Sequence, residues 1–154
     1  MDIIYETGDL FETPHLLIVH GCNAQGVMGS GVAKIIKEKF PSAYDAYKTK
    51  FIAEGLKLGE VIFAPSEGKI IANAITQEFY GRDGKCYVSY ESINTAMELV
   101  NSYALKHNIT HVAMPLIGAG YGGGSWKVIS NIIQEELADT TPVVYILDGV
   151  IPSN

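Results

Sequence analysis

The sequence predicts an α/β fold in which a mostly parallel sheet is covered by helices on both faces. Short apolar runs alternate with segments of helical periodicity, which is typical of successive βαβ units. The run at 16–22 is largely apolar, as in a strand buried on both faces, and two glycine-rich loops each follow a strand of this kind. A length of 154 residues suits one domain, which we expect to span 1–154.

The first half of the chain predicts four strands and two helices. Strands are expected at 3–5 and 16–22, and a glycine-punctuated loop at 24–30 follows the second of them. The next helix has its apolar residues at helical spacing until Pro41 ends it: Val32, Ile35, Ile36 and Phe40. Ser42 is predicted to cap a further helix that ends before Gly55 and has one apolar face: Ala43, Ala46, Tyr47 and Phe51. Two short strands are then expected, at 61–64 and 69–75.

The second half predicts a long loop, two more helices and two more strands. The polar segment 76–88 contains two glycines and indicates a long, mobile loop. Its Tyr80, Arg82 and Asp83 are lesser candidates for a functional role, with simple solvation as the alternative. Ser89 is predicted to cap a helix with an apolar stripe: Ile93, Ala96, Met97, Val100, Tyr103 and Ala104. A strand at 111–116 leads into the second glycine-rich loop, 117–125. Trp126 then opens a helix with four inward positions, Ile129, Ile132, Ile133 and Leu137, and a strand at 143–147 closes the sheet.

Composition excludes several classes of protein. Eleven basic and seventeen acidic residues give a net charge of −6, which argues against strong binding to a nucleic-acid backbone. No apolar run is long enough to cross a membrane, and the N-terminus lacks the features of a secretory signal. Cys22 and Cys86 are therefore expected to be thiols, and the four histidines show no zinc-binding spacing. We expect a cytoplasmic monomer, in the host cytoplasm if the source is a virus, with no metal and no cofactor.

The two glycine-rich loops are the strongest functional signal. Both follow the carboxyl end of a buried strand and precede a helix, where open α/β sheets bind ligands. Glycines let the main chain approach a ligand closely, and unpaired N–H groups attract an anion. Neither loop has the Walker or dinucleotide-binding pattern. The alternative is that both loops are merely tight connections. Two phosphate-binding loops without a lysine suggest a diphosphate held by the main chain, as in ADP-ribose.

Four motifs resemble the macro-domain family over essentially the whole chain. They are Gly-Asp-Leu-Phe at 8–11, His-Gly-Cys-Asn at 20–23, Met-Gly-Ser-Gly-Val-Ala at 28–33 and Pro-Leu-Ile-Gly-Ala-Gly at 115–120. The sequence looks most like the branch that contains the terminal ADP-ribose protein glycohydrolase and the fungal ADP-ribose-1″-phosphate phosphatase. The resemblance implies a three-layer α/β/α sandwich with a mixed, mostly parallel sheet. It also implies that ADP-ribose or ADP-ribose-1″-phosphate is the ligand.

The resemblance assigns binding roles to individual residues. Asp9 would accept a hydrogen bond from the adenine amino group, with the main chain of Leu10 beside it. Asn23 would face the distal ribose. The diphosphate and distal ribose would be enclosed by residues of both loops: Gly29, Ser30, Gly31, Val32, Gly118, Ala119, Gly120, Tyr121 and Gly122. Two alternatives stay open, because Asp9 could serve only as a turn or cap residue and Asn23 could close its own loop.

The catalytic assignment is divided between two branches of the family. The glycohydrolase branch uses a lysine and an aspartate at the positions of Gln77 and Gly122, so its covalent route is not expected here. The fungal phosphatase has a histidine at the position of His20, which makes His20 and Asn23 the candidate catalytic residues. A hydrogen-bonded core histidine, on the same strand face as Cys22, is the alternative. We therefore expect hydrolysis of ADP-ribose-1″-phosphate, and keep a non-catalytic reader of ADP-ribose and an ADP-ribosyl ester hydrolase as alternatives.

Overall fold

The computed structural model describes residues 1–154, which form a single six-stranded sheet and four α-helices. The strands are β1 (Ile4–Thr7), β2 (Leu17–Asn23), β3 (Val61–Ser66), β4 (Lys69–Gln77), β5 (His111–Met114) and β6 (Thr141–Ile146). The helices are α1 (Gly31–Lys39), α2 (Pro41–Glu54), α3 (Tyr90–Lys106) and α4 (Trp126–Glu136), and one 3₁₀ turn covers Leu10–Glu12. No helix is both long and apolar enough to cross a membrane.

The sheet is mixed and mostly parallel, as expected. Its strand order is β1-β6-β5-β2-β4-β3, and only the β3–β4 pair is antiparallel. The carboxyl ends of β5, β2 and β4 therefore lie side by side at the middle of one sheet edge. The loops that follow these three strands meet there, which is the position that open α/β sheets use for ligands.

Helices cover both faces of the sheet, and β2 shows why. Its side chains alternate between the two faces, so Leu17 and Val19 pack in a core with α3 and α4, whereas Ile18 and Cys22 pack in a second core with α1 and α2. Both cores exclude water, which accounts for the largely apolar sequence of this strand. The three-layer α/β/α sandwich is confirmed.

Several local predictions are corrected by the structure. Ser42 does not cap α2, because Pro41 is the first residue of that helix and its fixed φ suits this position. The fifth strand ends at Met114 rather than at residue 116. Ser89 does cap α3, since its side chain accepts a hydrogen bond from the Ser92 amide. The segment 76–88 is a loop after the first two residues, but its C-terminal part is tied to the second glycine loop.

Candidate functional site

A cleft of about 780 Å³ opens at the carboxyl edge of the sheet. Its walls come from the loop after β2 together with the start of α1, from the end of β4 and the loop that follows it, and from the second glycine loop after β5. Nine of the twelve predicted binding residues line it: Asn23, Gly29, Ser30, Gly31, Val32, Gly118, Gly120, Tyr121 and Gly122. The topology therefore brings both loops to one ligand-sized space.

The first glycine loop presents unpaired main-chain amides to the cleft. Ser30 precedes α1 with an extended backbone, and its side chain makes no capping hydrogen bond. The amides of Gly29 to Ala33 donate no hydrogen bond within the protein. The first-turn amides of a helix have no acceptor in their own helix, and they also carry the positive end of the helix dipole. This end of α1 can therefore receive an anion.

The second glycine loop adds amides from the opposite wall. Those of Gly118, Gly120, Tyr121 and Gly122 donate no hydrogen bond within the protein. The amide of Ala119 is used instead in a turn, where it donates to the Leu116 carbonyl at 3.2 Å, and Ala119 does not line the cleft. Gly118 has φ +76°, a conformation that glycine adopts without strain, and the main chain changes direction at this residue.

The loop after β4 is docked on the second glycine loop. The carbonyl of Gly122 accepts hydrogen bonds from the amides of Tyr87 at 2.7 Å and Val88 at 3.1 Å. Gly123 lies so close to the main chain of Lys85 that a Cβ atom there would be 2.2 Å from the Lys85 carbonyl oxygen. Two loops that are distant in sequence are thus joined by main-chain contacts, and the second wall of the cleft is formed before any ligand arrives.

The side chain of Asn23 closes its own loop. Its Oδ1 accepts hydrogen bonds from the amide of Gln25 at 3.0 Å and from the Tyr47 hydroxyl at 3.0 Å, and its Nδ2 donates to the Val27 carbonyl at 2.8 Å. Burial raises the pKa of Tyr47, so this hydroxyl stays protonated and able to donate. The amide group of Asn23 therefore holds the loop in shape, which is the alternative to ribose binding that the sequence left open for this residue.

His20 is one of the residues that line the cleft, but its side chain is almost completely enclosed by neighbouring groups. The residue is 1% exposed, and its Nε2 lies 2.6 Å from Asn73 Oδ1, with the thiol of Cys22 at 3.5 Å. Because Asn73 Oδ1 can only accept, Nε2 carries the proton of a neutral imidazole. Burial lowers the pKa of His20 to about 4, and the bond to Asn73 opposes this shift. His20 thus has the surroundings of a hydrogen-bonded core histidine.

The residues assigned to adenine lie outside the cleft wall. Asp9 follows β1 and is exposed, and its Oδ1 accepts a hydrogen bond from the Phe11 amide at 2.9 Å, which makes it the cap of the 3₁₀ turn. Leu10 is 5% exposed and packs in the core. Asp9 nevertheless lies at the same edge of the sheet as the cleft. It follows β1, which is three strands away from β2 in the sheet, or about 14 Å at the usual strand spacing.

Gln77 and Gly122 both line the cleft, but neither can supply nucleophilic or base chemistry. The side-chain amide of Gln77 donates to the Phe79 carbonyl at 2.7 Å. A Cβ atom at Gly122 would lie 2.7 Å from the Gly118 carbonyl oxygen, which is main chain and cannot move aside cheaply. The present loop conformation therefore does not accommodate an aspartate at this position.

Sequence reasoning named side chains of the loop after β4 only as lesser candidates, with solvation as the alternative. Tyr80 and Arg82 both line the cleft, and Arg82 Cζ lies 5.0 Å from the centroid of the Tyr121 ring. The polarity of 76–88 indicated a loop but not where the loop would dock. No group of three or more His, Cys, Asp or Glu side chains is arranged to hold a metal ion.

Comparison with known proteins places this geometry in a family. The family model described as Macro domain matches residues 19–133. The bovine protein named ADP-ribose glycohydrolase OARD1 is 31% identical over 148 residues, which cover 94% of this chain and 91% of that protein. The Debaryomyces hansenii ADP-ribose 1″-phosphate phosphatase is 25% identical over 166 residues, covering 86% of this chain and 93% of that one.

A solved structure agrees with these sequence relatives. The macrodomain of Thermus aquaticus DarG superposes with a TM-score of 0.80 at 25% sequence identity, and the match covers 94% of this chain and 97% of that one. Fold, sequence and the two amide-lined loops thus agree, and the chain belongs to the macro domain family.

Proposed function

We propose that this macro domain binds the ADP-ribose group in the cleft and hydrolyses ADP-ribose-1″-phosphate to ADP-ribose and phosphate. The observation that carries the binding proposal is the set of unpaired amides on both walls, from 29–33 and from Gly118, Gly120, Tyr121 and Gly122. A buried diphosphate needs many hydrogen-bond donors, and these donors require no basic side chain. The ligand would lie along the sheet edge with its adenine toward Asp9.

The charge of the cleft supports an anionic ligand. The whole protein carries a net charge of −6, yet no carboxylate lines the cleft and Arg82 is the only charged residue there. The two phosphates of a bound diphosphate would therefore contact no negatively charged side chain. The similarity to fungal ADP-ribose 1″-phosphate phosphatases supports a ligand with a third phosphate.

The absence of a lysine and an aspartate at positions 77 and 122 bears on the reaction. Without them the covalent glycohydrolase route has neither its nucleophile nor its base, so cleavage of the phosphate ester is the reaction that we propose. The oxygen of a water molecule forms a bond to phosphorus, and the bond between phosphorus and the C1″ oxygen breaks. The attacking water releases one proton to solvent and the C1″ oxygen takes one up, so the products are ADP-ribose and hydrogen phosphate, while cleft amides stabilise the charge on the phosphoryl oxygens. His20 and Asn23 act here as positioning residues that hold the end of β2 and its loop.

A second function, binding without turnover, is favoured by a separate observation. The imidazole of His20 and the amide of Asn23 are both committed to internal hydrogen bonds. The cleft therefore contains no free acid or base of the kind that usually accelerates hydrolysis. In this case the protein would recognise ADP-ribose, free or attached to another molecule.

Calorimetry and a phosphate-release assay distinguish these functions. We expect purified protein to bind ADP-ribose and to release phosphate from ADP-ribose-1″-phosphate. Gly120→Leu is the blocking variant, because Gly120 lines the cleft and a Cβ atom there meets nothing within 4 Å, so a larger side chain fits without disturbing the protein. It should lose binding and turnover while its melting temperature stays that of the wild type. Binding without phosphate release would support the second function, recognition without turnover. A wild-type protein that binds neither nucleotide would contradict both functions.

A further inference from the structure

Arg82 is the only charged residue on the cleft wall, and the interactions described so far give it no partner except an aromatic ring. An arginine can donate several hydrogen bonds in a planar fork that matches a phosphate. The question is therefore whether the guanidinium is free to bind a ligand and which part of the ligand it would meet.

The neighbouring carboxylate does not neutralise Arg82. Both oxygens of Asp83 accept from the Tyr87 hydroxyl at 2.9 Å, and Oδ1 also accepts from the Lys85 amide at 3.1 Å. Lys85 Nζ lies 3.8 Å from Asp83 Oδ2, and Arg82 takes part in no ion pair. Hydrogen bonds from the Lys85 amide and the Tyr87 hydroxyl lower the pKa of Asp83, so it remains an anion that already has partners other than Arg82. The donors of Arg82 are left available.

The Arg82 guanidinium lies on an aromatic ring, and the loop that carries this residue is fixed by contacts of its neighbours. Tyr121, the ring beneath its guanidinium, also lies against Gly31, where a Cβ atom would be 3.5 Å from the ring. This ring therefore spans the space between the two glycine loops. On the other side, Gly81 packs so closely on the Tyr87 hydroxyl that a Cβ atom there would be 2.4 Å from it. The loop is in turn fixed by the hydrogen bonds of Tyr87 and Val88 to the second glycine loop.

The strand order indicates which end of the ligand Arg82 faces. The segment with Asp9 follows β1 at one edge of the sheet, and the unpaired amides lie in the loops after β5 and β2. Arg82 follows β4, which lies beyond β2 in the same direction. A nucleotide whose adenine points toward Asp9 and whose diphosphate meets the amides would therefore extend its distal ribose toward Arg82.

We propose that Arg82 binds the terminal phosphate of ADP-ribose-1″-phosphate, and that this contact makes the protein prefer terminally phosphorylated nucleotides to ADP-ribose. The Tyr121 ring holds the guanidinium by a cation–π contact and covers the distal ribose. This inference rests on the proposed function. A phosphate monoester carries close to two negative charges at neutral pH, so it gains more from an arginine than a neutral ribose hydroxyl does.

The test compares two nucleotides and three proteins. Dissociation constants for ADP-ribose and ADP-ribose-1″-phosphate are measured with wild type, Arg82→Gln and Lys85→Gln, with the KM of phosphate release replacing the dissociation constant where turnover occurs. Lys85 is the matched control, because it belongs to the same loop, its side chain is 78% exposed and it does not line the cleft. Melting temperatures of all three proteins check folding.

We expect Arg82→Gln to weaken binding of the phosphorylated nucleotide by about tenfold to a hundredfold, the range of a charge-assisted hydrogen bond. Binding of ADP-ribose should fall by less than about threefold, since only a screened charge is removed from its vicinity. Lys85→Gln should leave both affinities within about twofold. An equal loss for both nucleotides, or no loss, overturns this inference and leaves the proposed function standing. A wild-type protein that binds neither nucleotide overturns the proposed function and this inference with it.

Discussion

The buried His20 should make the protein lose stability in mild acid. Its pKa is 6.5 in the unfolded chain and about 4 in the folded protein, because the buried imidazole is kept neutral. As the pH falls below 6.5, the unfolded chain takes up a proton that the folded protein refuses. The contribution of His20 to stability is thus fully present above pH 6.5 and is lost as the pH falls toward 4.

The size of this loss follows from the two pKa values. The interval from 6.5 to about 4, at about 1.4 kcal/mol per pH unit, corresponds to about 3 kcal/mol of unfolding free energy. A domain of this size usually has about 5–15 kcal/mol in total, so the loss is readily measured. His20→Gln is the comparison variant, since glutamine cannot ionise but keeps an N–H donor for Asn73.

Urea unfolding of both proteins at several pH values between 7 and 4 provides the assay. We expect the difference in unfolding free energy between wild type and His20→Gln to change by about 3 kcal/mol across this range, to the disadvantage of the wild type in acid. The lowered pKa of His15 also contributes to acid sensitivity, but both proteins retain that residue and its effect cancels. Two parallel stability curves would mean that His20 ionises normally in the fold, and the reasoning would be refuted.

Two further predictions concern a glycine and the thiols. Gly118→Ala should destabilise the protein by about 1–3 kcal/mol more than Gly68→Ala in thermal unfolding. Both positions have φ near +77°, so the backbone strain is alike, but only a Cβ at Gly118 would clash, at 2.8 Å from Val88. Equal losses would contradict this. Cys86 should react with a thiol reagent in the native protein while Cys22 reacts only on unfolding, since Cys86 is exposed and burial raises the pKa of Cys22. The number of labelled cysteines is measured by mass spectrometry. Rapid labelling of both Cys22 and Cys86 in native buffer would contradict this prediction and show that β2 opens.

The fold was predictable because its signals are local. The apolar run at 16–22 matches β2, Leu17–Asn23, within one residue at each end, and Trp126 opens α4 as expected from its apolar spacing. The position of both glycine loops at strand ends was enough to predict a ligand site, since this relation between strand end and loop is a property of open α/β sheets. Patterns that are local in the sequence thus predicted the three layers of the fold and the two glycine loops that form walls of the cleft.

The parts that escaped prediction depend on contacts between distant segments. The environment of His20 is set by Asn73, which lies 53 residues away on the neighbouring strand. The loop that carries Arg82 is tied to the cleft by hydrogen bonds from the amides of Tyr87 and Val88 to the Gly122 carbonyl. Neither contact leaves a periodic or compositional signal, so sequence reasoning named alternatives for His20 and named Arg82 only as a lesser candidate.

The reliance of the cleft on main-chain amides has a consequence for how the protein can diverge. Every residue except proline brings an N–H group, so most substitutions in 29–33 leave the donors intact as long as the backbone keeps its course. The functional groups of side chains at the rim, such as Gln77 and Arg82, are lost when the residue is substituted. Each of these residues can be replaced without moving the amides. In the proposed function, recognition of the diphosphate and the choice of reaction thus depend on separate parts of the molecule, so a substitution at the rim can change the reaction without changing the amides that bind the ligand.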